Sequence, residues 1–104
     1  MSDDPKTIAA DIARELRANP EAWTKGCYAR GSSNEQVEAH SSLAQKWCLA
    51  GHIMKRCPEK YWPISQRFRE AIGLDKDTYL SMWNDGKERT VDEVIAACEK
   101  VATS

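Results

Sequence analysis

The sequence has no excess of charge of either sign and no long apolar run. Its 15 lysines and arginines are balanced by 16 aspartates and glutamates, so the net charge is −1. Such a chain creates no long-range field that would attract nucleic acid or an anionic membrane surface. No stretch approaches the roughly 18 apolar residues of a membrane-spanning helix, and the start of the chain, Met1 to Lys6, resembles no secretory signal. We therefore expect a cytoplasmic protein that binds neither nucleic acid nor a membrane.

The sequence also lacks the short motifs of the common catalytic and metal-binding sites. It contains no C-x-x-C pair, no glycine-rich phosphate cradle, no serine-centred nucleophile elbow and no paired metal-binding histidines. Its four cysteines are Cys27, Cys48, Cys57 and Cys98, and a reducing cytosol favours free thiols. We therefore expect neither a metal nor a cofactor, and catalysis only from residues that the fold would bring together from distant positions.

The most apolar stretch of the chain is W-C-L-A-G-H-I-M, Trp47 to Met54. At 100° per residue its side chains form a broad apolar face, which predicts a buried central helix. We place this helix from Ser42 to Lys55, because serine is a good N-cap and the helix must end before Pro58. His52 falls on a polar strip of that helix and is expected to be partly exposed.

The first forty residues predict one helix followed by an irregular segment. Asp4 followed by Pro5 indicates a helix start, and Asn19-Pro20 indicates its end. Between Trp23 and His40 the helical period disappears, and glycine, serine and asparagine separate two short runs, 27–30 and 36–38. This pattern predicts a short β-hairpin or an ordered loop.

The second half of the chain predicts three more helices. The first ends at Gly73 with a left-handed C-terminal cap. Another short helix opens at Asp75 or Asp77 and leads to a turn at 84–86. The last helix follows a capping box formed by Thr90 and Glu93.

Together these elements predict a mainly α, single-domain bundle over residues 1–104. It has four to five helices around the central buried helix, with a short β-hairpin or ordered loop after the first helix.

The order of several short motifs resembles a family of small bacterial and phage proteins of unknown function. That pattern has tryptophan followed by glycine, then W-C-x-x-G, W-N-D and R-T-x-x-E-V. The corresponding elements here are Trp23 with Gly26, Trp47 to Gly51, Trp83 to Asp85, and Arg89 to Val94. The resemblance implies a mainly helical fold and no particular activity. The chain departs from the pattern at His52, so the resemblance implies no role for that residue.

Two alternatives assign chemistry or nucleic-acid binding to the chain. A small enzyme or metal-binding protein could use Cys48 and His52, spaced i,i+4, together with Cys27. A degenerate helix-turn-helix could occupy Gln66 to Asp85. Against the second, Arg69 stands where a small residue is usual, and an acidic start would face the phosphates.

The interpretation that we favour is a non-enzymatic cytoplasmic binding or accessory module that acts on another protein, of bacterial or phage origin. Aromatic and basic side chains in the irregular segment and the connection after the central helix are the candidate partner-binding residues, because such residues dominate binding energy at interfaces. They are Trp23, Lys25, Tyr28, Arg30 and Trp62. A polar cluster of Asn84, Asp85 and Arg89 is interpreted as structural, since turn and capping chemistry explains its members.

Overall fold

The computed structural model describes residues 4–75 and 77–103 and confirms the mainly helical fold, to which a small three-stranded sheet is added. The helices are α1 (Pro5–Ala18), α2 (Leu49–Arg56), α3 (Tyr61–Ala71), α4 (Leu80–Asn84) and α5 (Val91–Ala102). The strands are β1 (Ala29–Arg30), β2 (Gln36–Val37) and β3 (Lys46–Trp47), and short 3-10 turns cover Pro20–Ala22 and Pro58–Lys60. None of the helices in the described ranges has the length and apolar character to span a bilayer.

Helices α1 and α5 pack against each other along most of their length. The apolar side chains that α1 presents at helical spacing are buried, as are those of α5, and both sets belong to one core: Ile8, Ile12, Leu16, Val94, Cys98 and Val101. The two helix starts follow the predicted chemistry. Asp4 accepts a hydrogen bond from the Lys6 amide, and Thr90 and Glu93 form the capping box.

The irregular segment forms the predicted hairpin and pairs with a third strand that was not predicted. The strand order is β2-β1-β3, and β1 is antiparallel to both neighbours. Ala29 is opposite Val37 on one side and opposite Trp47 on the other. Trp23 also forms a parallel bridge with Trp47. The loop before β1 is therefore tied to the segment that enters α2.

The predicted start of the central helix at Ser42 is wrong. Trp47 is in β3, and α2 begins at Leu49 after an extended Cys48, seven residues later than predicted. The reason is a non-local pairing, because the Cys48 amide donates to the Tyr28 carbonyl at 3.2 Å and so follows the strand rather than a helix. The helix that remains is still central and buried from Leu49 to Ile53.

The predicted cap of α3 is confirmed, but the predicted start of α4 is not. Gly73 has a φ of +77°, and the amide of Leu74 donates to the Arg69 carbonyl, as a Schellman cap requires. Asp75 does not open a helix, because its carboxylate accepts hydrogen bonds from the Asp77 amide and the Thr78 hydroxyl and holds a turn. Helix α4 begins only at Leu80.

Candidate functional site

Asn84 is a buried side chain that connects three segments of the chain. It has no solvent exposure, and its Oδ1 accepts hydrogen bonds from Trp23 Nε1 at 2.6 Å and from the Leu49 amide at 3.0 Å. Its Nδ2 donates to the Thr24 carbonyl at 3.0 Å and to Asp85 Oδ1 at 3.2 Å. All four hydrogen-bonding positions of the amide are thus used. The side chain holds the loop after α1, the start of α2 and the end of α4 together.

Gly51 permits a second contact at the same place. A Cβ atom on Gly51 would lie 2.1 Å from the Tyr28 carbonyl oxygen. The Gly51 amide donates to the Cys48 thiol sulfur at 3.3 Å, so Cys48 serves as the N-cap of α2. The segment that contains Tyr28 therefore lies directly against the first turn of α2, with no room for a side chain between them.

Two more contacts complete this region, which we call the junction and define by Trp23, Gly26, Gly51, Asn84 and Asp85. The Gly26 amide donates to Asp85 Oδ1 at 3.0 Å. Next to the junction, the Arg89 guanidinium lies 4.0 Å from the centre of the Trp83 ring and its Nε donates to the Trp83 carbonyl. The motifs that carry the family resemblance thus meet in one place, where each motif provides a structural contact.

The predicted partner-binding residues divide into two groups. Lys25 Nζ donates to the Gly86 carbonyl at 2.8 Å, and Arg30 donates to the Thr24 hydroxyl and to the Lys25 and Asn34 carbonyls. With Trp23, these half-buried side chains order the irregular segment. Tyr28 and Trp62 are instead exposed, at 47% and 65% of their surface.

His52 is fully buried, so the prediction that it is partly exposed is wrong. Arg56 Nη1 can only donate, and it lies 3.3 Å from His52 Nδ1. Nδ1 therefore accepts, and Nε2 carries the proton and donates to the Ala22 carbonyl at 3.0 Å. A helical projection of α2 alone cannot show that Ala22, before the sheet, provides this partner.

An ion-pair group covers the outer side of His52. Glu15 accepts hydrogen bonds from Lys55 at 3.1 Å and from Arg56 at 2.5 Å, and the Lys55 ammonium lies 3.4 Å from the centre of the Trp47 ring. Burial alone would raise the pKa of the Glu15 carboxyl, but the hydrogen bonds from Arg56 and Lys55 bring that pKa below its ordinary value. Burial, reinforced by the nearby Lys55 and Arg56 charges, lowers the pKa of His52 to about 3.

These surroundings predict an acid sensitivity that originates at His52. In the unfolded chain the imidazole takes up a proton below its ordinary pKa of 6.5, whereas in the folded protein it stays neutral down to about pH 3. The stabilising contribution is therefore complete above pH 6.5 and is lost as the pH falls through this window, by about 1.4 kcal/mol for each pH unit. Between about pH 5 and pH 6.5, above the ordinary pKa range of carboxyl groups, we expect urea unfolding to show this slope in the wild type and its loss in His52→Gln.

The exposed His40 provides the matched control for that measurement. Its side chain is 69% exposed, and its Nε2 lies 3.3 Å from Glu38 Oε2. We expect His40→Gln to keep the wild-type dependence of the unfolding free energy on pH. An equal slope in wild type and His52→Gln would contradict the neutral, buried state of His52.

The cysteines have the properties of structural thiols. Burial raises the pKa of the Cys48 thiol to about 11 and that of Cys98 to about 12. A nucleophilic cysteine needs the opposite shift, because the thiolate is the reactive form. Cys27 is more accessible, and its thiol donates to the Ala29 carbonyl at 3.2 Å. Within residues 4–75 and 77–103, no three histidine, cysteine or acidic side chains converge as metal ligands would.

The segment that resembles a helix-turn-helix has an unsuitable second helix. Helix α4 has five residues, Leu80–Asn84, and its ends are turned inward by the buried Leu80 and Asn84. Arg69 stands where a helix-turn-helix usually has a small residue. Its Nε donates to the Thr78 carbonyl at 3.0 Å and supports the α3–α4 connection. A recognition helix has to project side chains into a major groove, and α4 is too short and too firmly attached to do so.

Most of the large apolar side chains that remain exposed lie around α4. The rings of Trp62 and Tyr79 are 6.2 Å apart, and Tyr79 and Met82 are exposed at 48% and 57%. At 100° per residue, Leu80 and Asn84 of α4 face the core. The positions on the outer side of the helix follow one another around its axis in the order Ser81, Asp85, Met82 and Tyr79. We call Tyr28, Trp62, Tyr79 and Met82 the α4 surface.

A cleft adjoins this surface and links Tyr28 to it. Its volume is about 600 Å³, and it is lined on one side by Ser81 of α4 and by Asp85, the residue after the helix. The other residues that line it come from the loop before β1 and from β2 and its end: Gly26, Cys27, Tyr28, Gln36, Val37 and Glu38. We call this the Tyr28 cleft.

Sequence reasoning identified Tyr28 and Trp62 as candidates but missed Tyr79 and Met82. Both fall in the short helix that is predicted to open at Asp75 or Asp77, and which of its residues are exposed was not predicted from the sequence. Their spacing of three residues is the signal that could have placed them side by side, since residues i and i+3 share a helix face.

The fold and the junction define a small mainly α domain. Its short sequence motifs hold the segments together, and its exposed aromatic residues surround one short helix. The chain belongs to DUF6197, a family of unknown function, whose model matches residues 1–104. Membership of a family of unknown function, which the motifs implied, is thereby confirmed. Comparison with curated proteins and with solved structures gave no significant match.

Proposed function

We propose that this protein is a non-enzymatic module that binds another protein through the α4 surface. The observation that carries the proposal is the grouping of Trp62, Tyr79, Met82 and Tyr28, each about half exposed or more, around a single short helix. Tryptophan, tyrosine and methionine are the residues enriched at protein interfaces. Exposing a patch of apolar side chains to water is unfavourable in free energy, and a bound partner would cover the patch.

The base of this surface supports a binding role because it is firmly held. Leu80 and Asn84 anchor α4 with no solvent exposure, and Asn84 uses every hydrogen-bonding position that its amide has. An interface whose side chains are already positioned loses less conformational entropy when the partner binds. The junction residues thus serve binding indirectly, by fixing the helix that presents the aromatic rings.

We further propose that the module acts in the cytoplasm of a bacterial or phage-infected cell. Its Cys27, Cys48, Cys57 and Cys98 thiols are all free, which favours a reducing compartment. The raised pKa values of the Cys48 and Cys98 thiols favour a binding role over nucleophilic catalysis.

The proposal is tested by placing a photocrosslinking residue at Trp62 and identifying what it captures in cells that express the protein naturally. The purified partner is then titrated with the wild type, with Trp62→Ala and with Leu43→Ala. We expect Trp62→Ala to weaken binding by about 30-fold or more, because a tryptophan anchor contributes about 2 kcal/mol or more at an interface.

Leu43 is the matched control, because its exposed fraction, 65%, equals that of Trp62 and it lies outside the α4 surface, in the loop before β3. We expect Leu43→Ala to bind like the wild type. Equal affinities for Trp62→Ala and Leu43→Ala, or crosslinking at position 43 to the same partner in place of position 62, would reject the α4 surface as the binding site.

A further inference from the structure

We infer that the Tyr28 cleft receives an arginine side chain of the partner protein. This inference rests on the proposed function, because it assumes a protein partner, and it adds the chemistry that the partner must present. The cleft of about 600 Å³ adjoins the α4 surface along Ser81 and Asp85. A side chain that projects from a partner bound at Met82 and Tyr79 could therefore enter the cleft.

The charges of the cleft favour a cation. Of the residues that line it, Glu38 and Asp85 are acidic and none is lysine, arginine or histidine. The cations next to the cleft have partners of their own. Lys25 Nζ donates to the Gly86 carbonyl, and the Arg30 guanidinium donates to the Thr24 hydroxyl and to two carbonyls. The exposed His40 lies 3.3 Å from the Glu38 carboxylate. At a pH at which His40 is neutral, no residue that lines the cleft carries a positive charge, and a partner's cation would complement the two acidic groups.

The Asp85 carboxylate is held in position for such a contact. Its Oδ1 accepts hydrogen bonds from the Gly26 amide and from Asn84 Nδ2. Within the described residues, Oδ2 accepts no hydrogen bond. A carboxylate that is fixed by one oxygen and open at the other binds a charged donor without first having to be ordered.

The aromatic wall distinguishes arginine from other cations. Tyr28 lines the cleft with nearly half of its surface exposed. A planar guanidinium can stack on a tyrosine ring while its N–H groups donate to carboxylates. An ammonium group has no planar face with which to stack on the ring. Arginine is also enriched at protein interfaces and lysine is depleted there.

The inference is tested by titrating the ¹⁵N-labelled protein with N-acetylarginine amide, and separately with N-acetylcitrulline amide, which has nearly the same shape and no charge. At about pH 8, where imidazoles are ordinarily neutral, we expect saturable shifts at the amides of Gly26, Tyr28, Val37 and Asp85 with the arginine compound. Its Kd should be millimolar, as expected for a ligand of so few atoms. The citrulline compound should give no saturation.

Two variants and one control assign the effect to the cleft. Asp85→Asn should weaken arginine binding by about tenfold or more, because a hydrogen bond between charged groups is lost. Glu38→Gln should weaken it as well and cannot be confused with unfolding, since the Glu38 side chain is 80% exposed. Asp92→Asn removes an exposed carboxylate outside the cleft and should leave binding unchanged.

Equal responses to the arginine and citrulline compounds, no saturable shift, or wild-type affinity in both cleft variants would overturn the inference. That failure is separable from failure of the proposed function. Partner capture at Trp62 without arginine binding rejects only the role of the cleft, whereas arginine binding without a Trp62-dependent partner rejects the protein-binding function.

Discussion

Gly51→Ala is expected to destabilise the protein by about 3 kcal/mol or to prevent its folding. The added Cβ would lie 2.1 Å from the Tyr28 carbonyl oxygen, a backbone atom that cannot rotate away. Moving that carbonyl would break its hydrogen bond with the Cys48 amide and disturb the pairing of β1 with β3. Overpacking typically costs 1–3 kcal/mol, and the lost hydrogen bond adds about 1 kcal/mol. Urea unfolding at 25 °C measures the difference.

The sign of this result is informative, because Gly51 lies inside a helix. In an unobstructed helix interior, alanine is more favourable than glycine by about 1 kcal/mol. A stability equal to or above that of the wild type would therefore show that the Tyr28 segment does not lie against α2. Gly73→Ala is the comparison variant. At a φ of +77° and with no heavy atom within 4 Å of the added Cβ, it should lose only about 1 kcal/mol from backbone strain.

The parts of the fold that could be predicted depend on short-range chemistry. Helix α1 follows from the Asp4 cap and an apolar stripe, the end of α3 from Gly73, and the start of α5 from the capping box at Thr90 and Glu93. In each case the cap and the residue that it satisfies are separated by only a few positions. Such interactions are present in the sequence itself and need no knowledge of the tertiary structure.

The errors have the opposite cause. The periodicity of W-C-L-A-G-H-I-M extends through Trp47, yet the pairing of Trp47 with Ala29 makes it a strand. His52 was placed at the surface because the Ala22 carbonyl that it contacts is thirty residues away in the chain. A partner at that separation is visible only when the path of the chain is known.

The exposure of the candidate binding residues also depends on contacts between distant parts of the chain. Aromatic composition singled out the segment around Tyr28 and Trp62, but it could not show which rings would be half-buried in the junction and which would face solvent. Trp23 is held inward by Asn84, whereas Trp62 lies beside Tyr79 at the surface. Whether the exposed rings bind a partner remains the prediction that the Trp62 crosslinking experiment tests.

Asn84→Ala is expected to destabilise the protein by about 3–5 kcal/mol. Removing the amide leaves the Trp23 indole N–H, the Leu49 amide and the Thr24 carbonyl without their partner. Each buried polar group that loses its hydrogen bond costs about 1–3 kcal/mol, and water can reach the half-buried Trp23 more easily than the Leu49 amide. Urea unfolding gives the total, and hydrogen exchange at the Leu49 amide, which should become faster, reports the site.

Asn19→Ala is the control variant, which shows whether replacing any asparagine lowers the free energy of unfolding. Asn19 is exposed at the end of α1, and its side chain makes no capping hydrogen bond to the following turn, so we expect a change of about 0.5 kcal/mol or less. Similar values for Asn84→Ala and Asn19→Ala would contradict the junction. A large loss at Asn84 alone would show that the tryptophan and W-N-D motifs function together, because a single amide connects the loop after α1, the first turn of α2 and the helix that presents the α4 surface.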